Sequence, residues 1–222
     1  VQAYETAFLK EVKAKAHRNF EKLKEKWAEK VKIHLFVEHG SVVDGVRRFV
    51  DKKKIDMIVM GTHGSSGLKE YTVGSNAEKI VRSSKVPVIA IKKFVNISSL
   101  KSIVVPTDLI EVKKEFVTSI QTLQRFLKAR LHLLYVNVPS NFTPDHSSEK
   151  RLIELARNYQ LKNCSIHIYN DIDEESGIMH FSAKFKNKII AMATHGRKGL
   201  NHLMRGSVAE DVVNHIDCPI WT

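Results

Sequence analysis

Hydrophobic positions along the chain switch between two periods. Residues 5–28 carry Leu9, Val12, Ala16, Phe20, Leu23 and Trp27 at steps of three, four and seven, the stripe of an amphipathic helix. Val31, Ile33, Leu35 and Val37 then stand at every second position, which predicts a strand over 31–37. A helix is expected from Ser41 to Lys53, capped at Ser41 or Asp44. Ile55–Met60 is a short continuous apolar run, of the kind buried on both faces of a parallel sheet. A helix starts near Ser75 and a strand follows over Val86–Ile91. Beyond it, strands are predicted near 102–106, 131–138, 165–169, 188–193 and 218–222, with helices near 114–128, 148–159, 173–186 and 207–216. Strands alternating with helices imply an α/β protein with parallel sheets covered on both faces.

Part of this pattern occurs twice. Met60-Gly-Thr-His-Gly-Ser-Ser-Gly-Leu68 returns as Met192-Ala-Thr-His-Gly-Arg-Lys-Gly-Leu200, and Gly74-Ser75-Asn76-Ala77-Glu78 as Gly206-Ser207-Val208-Ala209-Glu210. Every pair is 132 residues apart, and 12 of the 28 positions from Met60 to Pro87 are identical to their counterparts, so the repeat is a duplicated domain and not a short solenoid unit. The expected organisation is a first domain over 1–97 and a second over 98–222, with Asn96–Ser99 as linker. Lys101–Asp108 opens the second copy with an apolar strand. Its counterpart would precede residue 1, so the first domain is expected to lack its N-terminal strand in this chain.

Candidate chemistry lies where strands exit into glycine-rich turns. Gly61-x2-Gly64-x9-Gly74-Ser75 follows an apolar strand and leads into a helix. Glycines let backbone amides approach a phosphate, and a helix N-terminus adds free amides and partial positive charge. Ser75 and Glu78 form a capping-box pattern at that start. The competing reading is a plain strand exit and capped helix, with glycine chosen for turn geometry. The combined spacing, closed by Gly-Ser-Asn, argues for the phosphate loop.

These residues, with the strand end Pro106-Thr107-Asp108, resemble the universal stress protein family in its tandem form, over nearly the whole chain. The resemblance implies two doubly wound parallel-sheet domains of the adenine nucleotide alpha hydrolase-like class, paired like a dimer within one chain, and in one branch ATP binding, with or without magnesium. Met60, Gly61, Gly64, Gly74, Ser75 and Asn76 match the phosphate and ribose loop in the first copy. In the second copy Gly196, Gly206, Ser207 and Val208 stand at those places, and Pro106, Thr107, Asp108 and Val136 at the adenine end. Ala193 replaces the first glycine there, and Arg197, Lys198 and Arg205 are either phosphate partners or ordinary surface cations. The final strands of the copies, ending at Ile91 and Thr222, are expected to meet and form an internal pseudo-dimer. Larger homo-oligomers stay open.

The formal charge of +12 raises a polyanion-binding reading. The lysines, however, fall at helical spacing without interleaved aromatics, and no recognition-helix, zinc-finger or RNA-binding signature accompanies them, so nucleic acid is disfavoured. A P-loop and a Gly-x-Gly-x-x-Gly motif are absent. His63, His195, His202 and His215 have no carboxylate or second histidine at relay or ligand spacing, so neither a catalytic residue nor a metal site is assigned. Two isolated cysteines, Cys164 and Cys218, suggest a reducing compartment, the cytoplasm. No apolar run reaches the roughly 18–20 residues of a membrane span. The function expected is therefore a nucleotide-binding sensor or switch of the stress response, with at most slow hydrolysis. Its rival is an interaction scaffold of the same fold with empty pockets.

Overall fold

The computed structural model describes residues 2–27, 29–62, 75–109, 112–193, 212 and 216–222. The chain divides into two compact units, 1–45 and 46–222.

The first unit is built on α1 (Gln2–Trp27). Of its apolar stripe, Leu9, Ala16 and Phe20 are half-buried while Val12, Leu23 and Trp27 are exposed. The ammonium groups of Lys26 and Lys30 sit 5.9 and 5.5 Å from the Trp27 ring, covering it in part. The strand expected over 31–37 does not form, although Ile33, Leu35 and Val37 are half-buried in alternation with exposed neighbours. A strand exists by pairing, and the described residues of this unit contain no second strand to pair with. Ser41 behaves as the expected cap: its hydroxyl accepts from the Asp44 amide at 3.4 Å, ahead of α2 (Val42–Lys53).

The second unit holds one seven-stranded sheet. Its strands are β1 (Ile58–Gly61), β2 (Val88–Ile91), β3 (Ser102–Pro106), β4 (Arg130–Asn137), β5 (Cys164–Asn170), β6 (Lys188–Ala191) and β7 (Ile220–Trp221). The spatial order is β1-β2-β7-β6-β3-β4-β5. All neighbours are parallel except β2 and β7. Parallel-sheet domains meeting at their final strands were expected, and the strands of both repeats join one mixed sheet. The join is the contact foreseen between final strands: Ile89 faces Trp221, Ala90 faces Ile220, and Val88 and Thr222 exchange two backbone hydrogen bonds of 2.9 Å. Ile89 and Trp221 are 132 positions apart, the repeat distance, so a local two-fold runs between them. Across this join the Lys93 ammonium meets the Asp217 carboxylate at 2.7 Å.

One further expectation is corrected. The run at Ile55–Met60 is not buried on both faces: β1 is the last strand of the sheet, and Val59 is 58% exposed. The segment expected as linker, Asn96–Ser99, takes a defined turn. Ile97–Ser99 forms a 3-10 turn capped by Asn96, whose side-chain oxygen accepts from the Ser98 amide at 3.1 Å, and it delivers Leu100 into the core.

Helices α3 (Ser75–Ser83), α4 (Lys114–Leu127), α5 (Asp145–Asn158) and α6 (Glu174–Ala183) connect the strands. On β4, Leu131, Leu133 and Tyr135 enter a core with Ile103, Val105, Ile120, Leu127 and Leu152, which places α4 and α5 on that face. His132, Leu134 and Val136 point to the other face, where α6 packs. No described helix is long and apolar enough to cross a membrane.

Candidate functional site

The chain runs outward through β3, β4 and β5, then α6 carries it back to β6 on the other side of β3. Strand order therefore reverses between β3 and β6. Open α/β sheets bind ligands at the carboxyl ends of strands beside such a reversal. Pro106 ends β3 there. The Thr107 amide donates to the Leu134 carbonyl at 2.9 Å, and the Thr107 hydroxyl accepts from the Leu109 amide at 3.2 Å. Leu109 takes a left-handed φ of 65° to close this turn. The exit of β3 is thus held by Thr107, itself 5% exposed, with Asp108 at its tip.

Loops after β4 and β5 complete the surroundings. Asn137, buried at the end of β4, accepts from the Thr143 amide through its side chain at 3.0 Å and from the Asp171 amide through its carbonyl at 3.2 Å. The Tyr135 hydroxyl reaches the Asn141 carbonyl at 3.3 Å and the Thr143 hydroxyl at 3.2 Å. Asp173 caps α6, its carboxylate accepting from the Ser176 amide at 2.8 Å and the Ser176 hydroxyl at 3.0 Å. The capped first turn carries Glu174, and Gly177 lets α6 lie directly against Val136: a Cβ at Gly177 would come within 2.3 Å of a Val136 methyl.

Between these segments lies a cleft of about 380 Å³, counting its open mouth. Its polar wall includes Thr107, Asp108, Asn141 and Glu174, its apolar wall Pro106, Leu134, Val136 and Ile178, and Tyr135 also lines it. Pro106, Thr107, Asp108 and Val136 are therefore together. Met60 and Gly61 are elsewhere, on β1, with three strands between it and β3. Asn76 is exposed on α3, whose first residue is Ser75. At Gly61 a Cβ would meet no described residue within 4 Å. Gly64, Gly74, Gly196, Gly206, Ser207 and Val208 lie outside the described residues, as do His63, His195, His202, His215 and the cations at 197, 198 and 205.

Five lining residues escaped the sequence reading: Leu134, Tyr135, Asn141, Glu174 and Ile178. Only Glu174 carried a signal, standing directly after a capping aspartate. Neither cysteine suits a nucleophile's role. Burial pushes the Cys218 thiol up to about 11 and raises that of Cys164.

The universal stress protein family model matches residues 2–92 and 99–222. A universal stress protein of Methanocaldococcus jannaschii is 39% identical over 85 residues, 38% of this chain and 49% of that protein. One of Bacillus subtilis is 34% identical over 83 residues, 37% of this chain and 56% of that protein. The chain thus spans about half the length of these relatives. Among solved structures, a universal stress protein of Archaeoglobus fulgidus superposes with a TM-score of 0.71 at 20% identity, over 95% of this chain and 78% of the other. A Pseudomonas aeruginosa protein described as functionally unknown gives 0.67 at 16%, over 93% and 76%. The fold is common to these chains, and the match over both halves of the repeat is the decisive finding: this chain belongs to the universal stress protein family.

Proposed function

We propose that this protein binds an adenine nucleotide, ATP in the first instance, at the carboxyl ends of β3 and β4, and that it serves as a sensor or switch with at most slow hydrolysis. One observation carries the reading. The four residues that the motif places at the adenine end, Pro106, Thr107, Asp108 and Val136, line a single cleft beside the point of strand reversal. Leu134, Val136 and Ile178 offer an apolar slot for a base, and the carboxylates of Asp108 and Glu174 with the Asn141 side chain offer partners for amino and hydroxyl groups.

Two carboxylates in the cleft repel phosphates. The phosphates would point away from it, toward Gly196, Gly206, Ser207 and Val208, which supply the glycines and helix start of the motif. Magnesium would enter with the phosphates, whose oxygens supply part of its coordination. The copies at 1–97 and 98–222 would then offer one pocket each, the first built on Met60, Gly61, Gly64, Gly74, Ser75 and Asn76.

Equilibrium binding of ATP to the parent, Asp108→Ala and Ile178→Trp tests this reading. Saturable binding that falls at least tenfold in both folded variants is expected. No binding by the parent, or equal affinity in all three, would overturn it and leave the fold as an interaction scaffold.

A further inference from the structure

At the other end of the sheet, near the start of β4 and β5, three polar side chains form a closed triangle on the face covered by α6. His132 stands directly opposite Ser165 in the β4–β5 register, and His167 lies two residues further along β5 on the same face. His132 Nδ1 and His167 Nε2 are 3.2 Å apart, and the Ser165 hydroxyl is 3.0 Å from the first and 2.9 Å from the second. The end of α6 and the residues after it close over the triangle. The Phe185 ring centres 4.3 Å from the His132 ring, and Phe181 4.8 Å from His167. His132 and Phe181 are buried.

The proton count of the triangle is restrictive. A hydrogen bond between two ring nitrogens needs one of them bare. Neutral imidazoles meet that condition, with the serine hydroxyl free to satisfy either ring or the Leu131 carbonyl at 3.3 Å. A first added proton places a positive charge under two phenyl rings. A second leaves no acceptor between the rings and sets two N–H groups against each other.

The groups around the pair oppose that charge. Arg130 on β4 acts on both histidines, and Lys184, just past α6, acts on His167. Lys184 itself lies over Tyr169 and Phe181, at 4.6 and 5.2 Å. On the neighbouring β3 the residue paired with His132 is the apolar Val104. Burial, the other histidine and Arg130 push His132 down to about 4, and burial, Lys184 and Arg130 push His167 down as well. At the end of β5 the Asp171 carboxylate, 2.7 Å from His180 Nδ1, is held below its ordinary range by that hydrogen bond and by the one from the Ile172 amide.

We propose that His132, Ser165 and His167 form an acid-released latch that fastens the end strand β5 and helix α6 to the sheet. While both imidazoles are neutral, the triangle joins β4 to β5 and gives Phe181 and Phe185 a flat surface to pack on. Protonation loosens β5, which is the last strand of the sheet and pairs only with β4 among the described strands, and α6 with it. Glu174 and Ile178 at the other end of α6 wall the cleft, so the latch also regulates the nucleotide site. That last step rests on the proposed function, and the latch itself does not.

Hydrogen exchange of the full chain, corrected for the intrinsic pH dependence of exchange, tests the latch directly. Between pH 7 and pH 4.5, amides of 164–170 and 174–183 should lose protection at least tenfold, with those of β3 unchanged. In H132L/H167L, where nothing in the triangle titrates, this local increment should vanish. A uniform loss across the sheet, or the same increment in the double variant, would overturn the latch. Should that variant not fold, the imidazole titrations of the parent by NMR decide: His132 titrating well below the ordinary range supports the latch, and both rings titrating near 6.5 refute it. ATP binding at pH 7 reads the cleft alone, so its failure leaves the exchange result standing.

Discussion

Gly177→Ala probes how closely α6 must approach β4. The added Cβ would fall 2.3 Å from one Val136 methyl, 3.0 Å from the other and 3.2 Å from the Val136 Cβ. Ordinary carbon contacts are about 3.5–4.0 Å, so the closest gap is short by more than an ångström. Val136 cannot yield cheaply, because it is 7% exposed and β-branched, with χ1 held by its neighbours. The helix must therefore lift from the sheet. Overpacking of this kind costs about 1–3 kcal/mol. Alanine's better helix propensity returns up to about 1 kcal/mol of that. A net loss of about 1–2 kcal/mol follows, which lowers Tm by roughly 2–8 °C for a unit of this size. Thermal and urea denaturation of parent, Gly177→Ala, Val136→Ala and the double variant measure it. Shortening Val136 removes the atoms that clash, so the double variant should be more stable than the sum of single losses predicts, by about 0.5–3 kcal/mol. Gly177→Ala melting at or above the parent would refute the close-approach argument. The same lift moves Ile178 and Glu174 outward, so ATP affinity should fall with stability.

Three further outcomes are expected. Stability should be fully present above pH 6.5 and decline as pH falls from there toward about 4, because unfolded His132 takes up a proton that the folded protein resists; urea titrations at several pH values should show this slope, and its reduction in His132→Leu identifies the source, His167 contributing the remainder. Ala193→Gly should strengthen nucleotide binding in the second copy by removing a methyl from the phosphate approach, read by ATP titration, and unchanged affinity would show that the methyl is tolerated. Val88→Asp or Ile220→Asp should destabilise the join between β2 and β7 by several kcal/mol, since both residues are almost fully buried and a carboxylate there has no paired environment; a folded, compact variant by scattering and melting would contradict the joint core.

Long periodic stretches were legible and tertiary accommodation was not. The stripe of α1, the apolar runs of β2, β3 and β4 and the turn at Thr107 followed from local pattern. The alternation at 31–37 misled because period two reports which faces a segment would show, and not whether a partner strand stands beside it. Val59 misled for a related reason: an apolar run reads alike in a central strand and in an end strand with one open face. Within the cleft, Pro106, Thr107, Asp108 and Val136 came from a motif, whereas Asn141 arrives from the turn after β4 and Ile178 from a helix whose approach depends on Gly177. A glycine in mid-helix looks like a weak helix position until the opposing valine is known. His132 and Ser165 are 33 residues apart and only strand register brings them together.

The short antiparallel contact between β2 and β7 has a consequence for how the two halves can diverge. Copies held together by a shared peptide chain meet at an effective concentration in the millimolar range, whatever the abundance of the protein. A symmetric assembly of separate chains must place every substitution at both copies of a site. This chain is under no such obligation. One half keeps glycine at 61 while the other carries alanine at 193. Joined about the Ile89–Trp221 axis within one chain, each half is free to change without a matching change in the other.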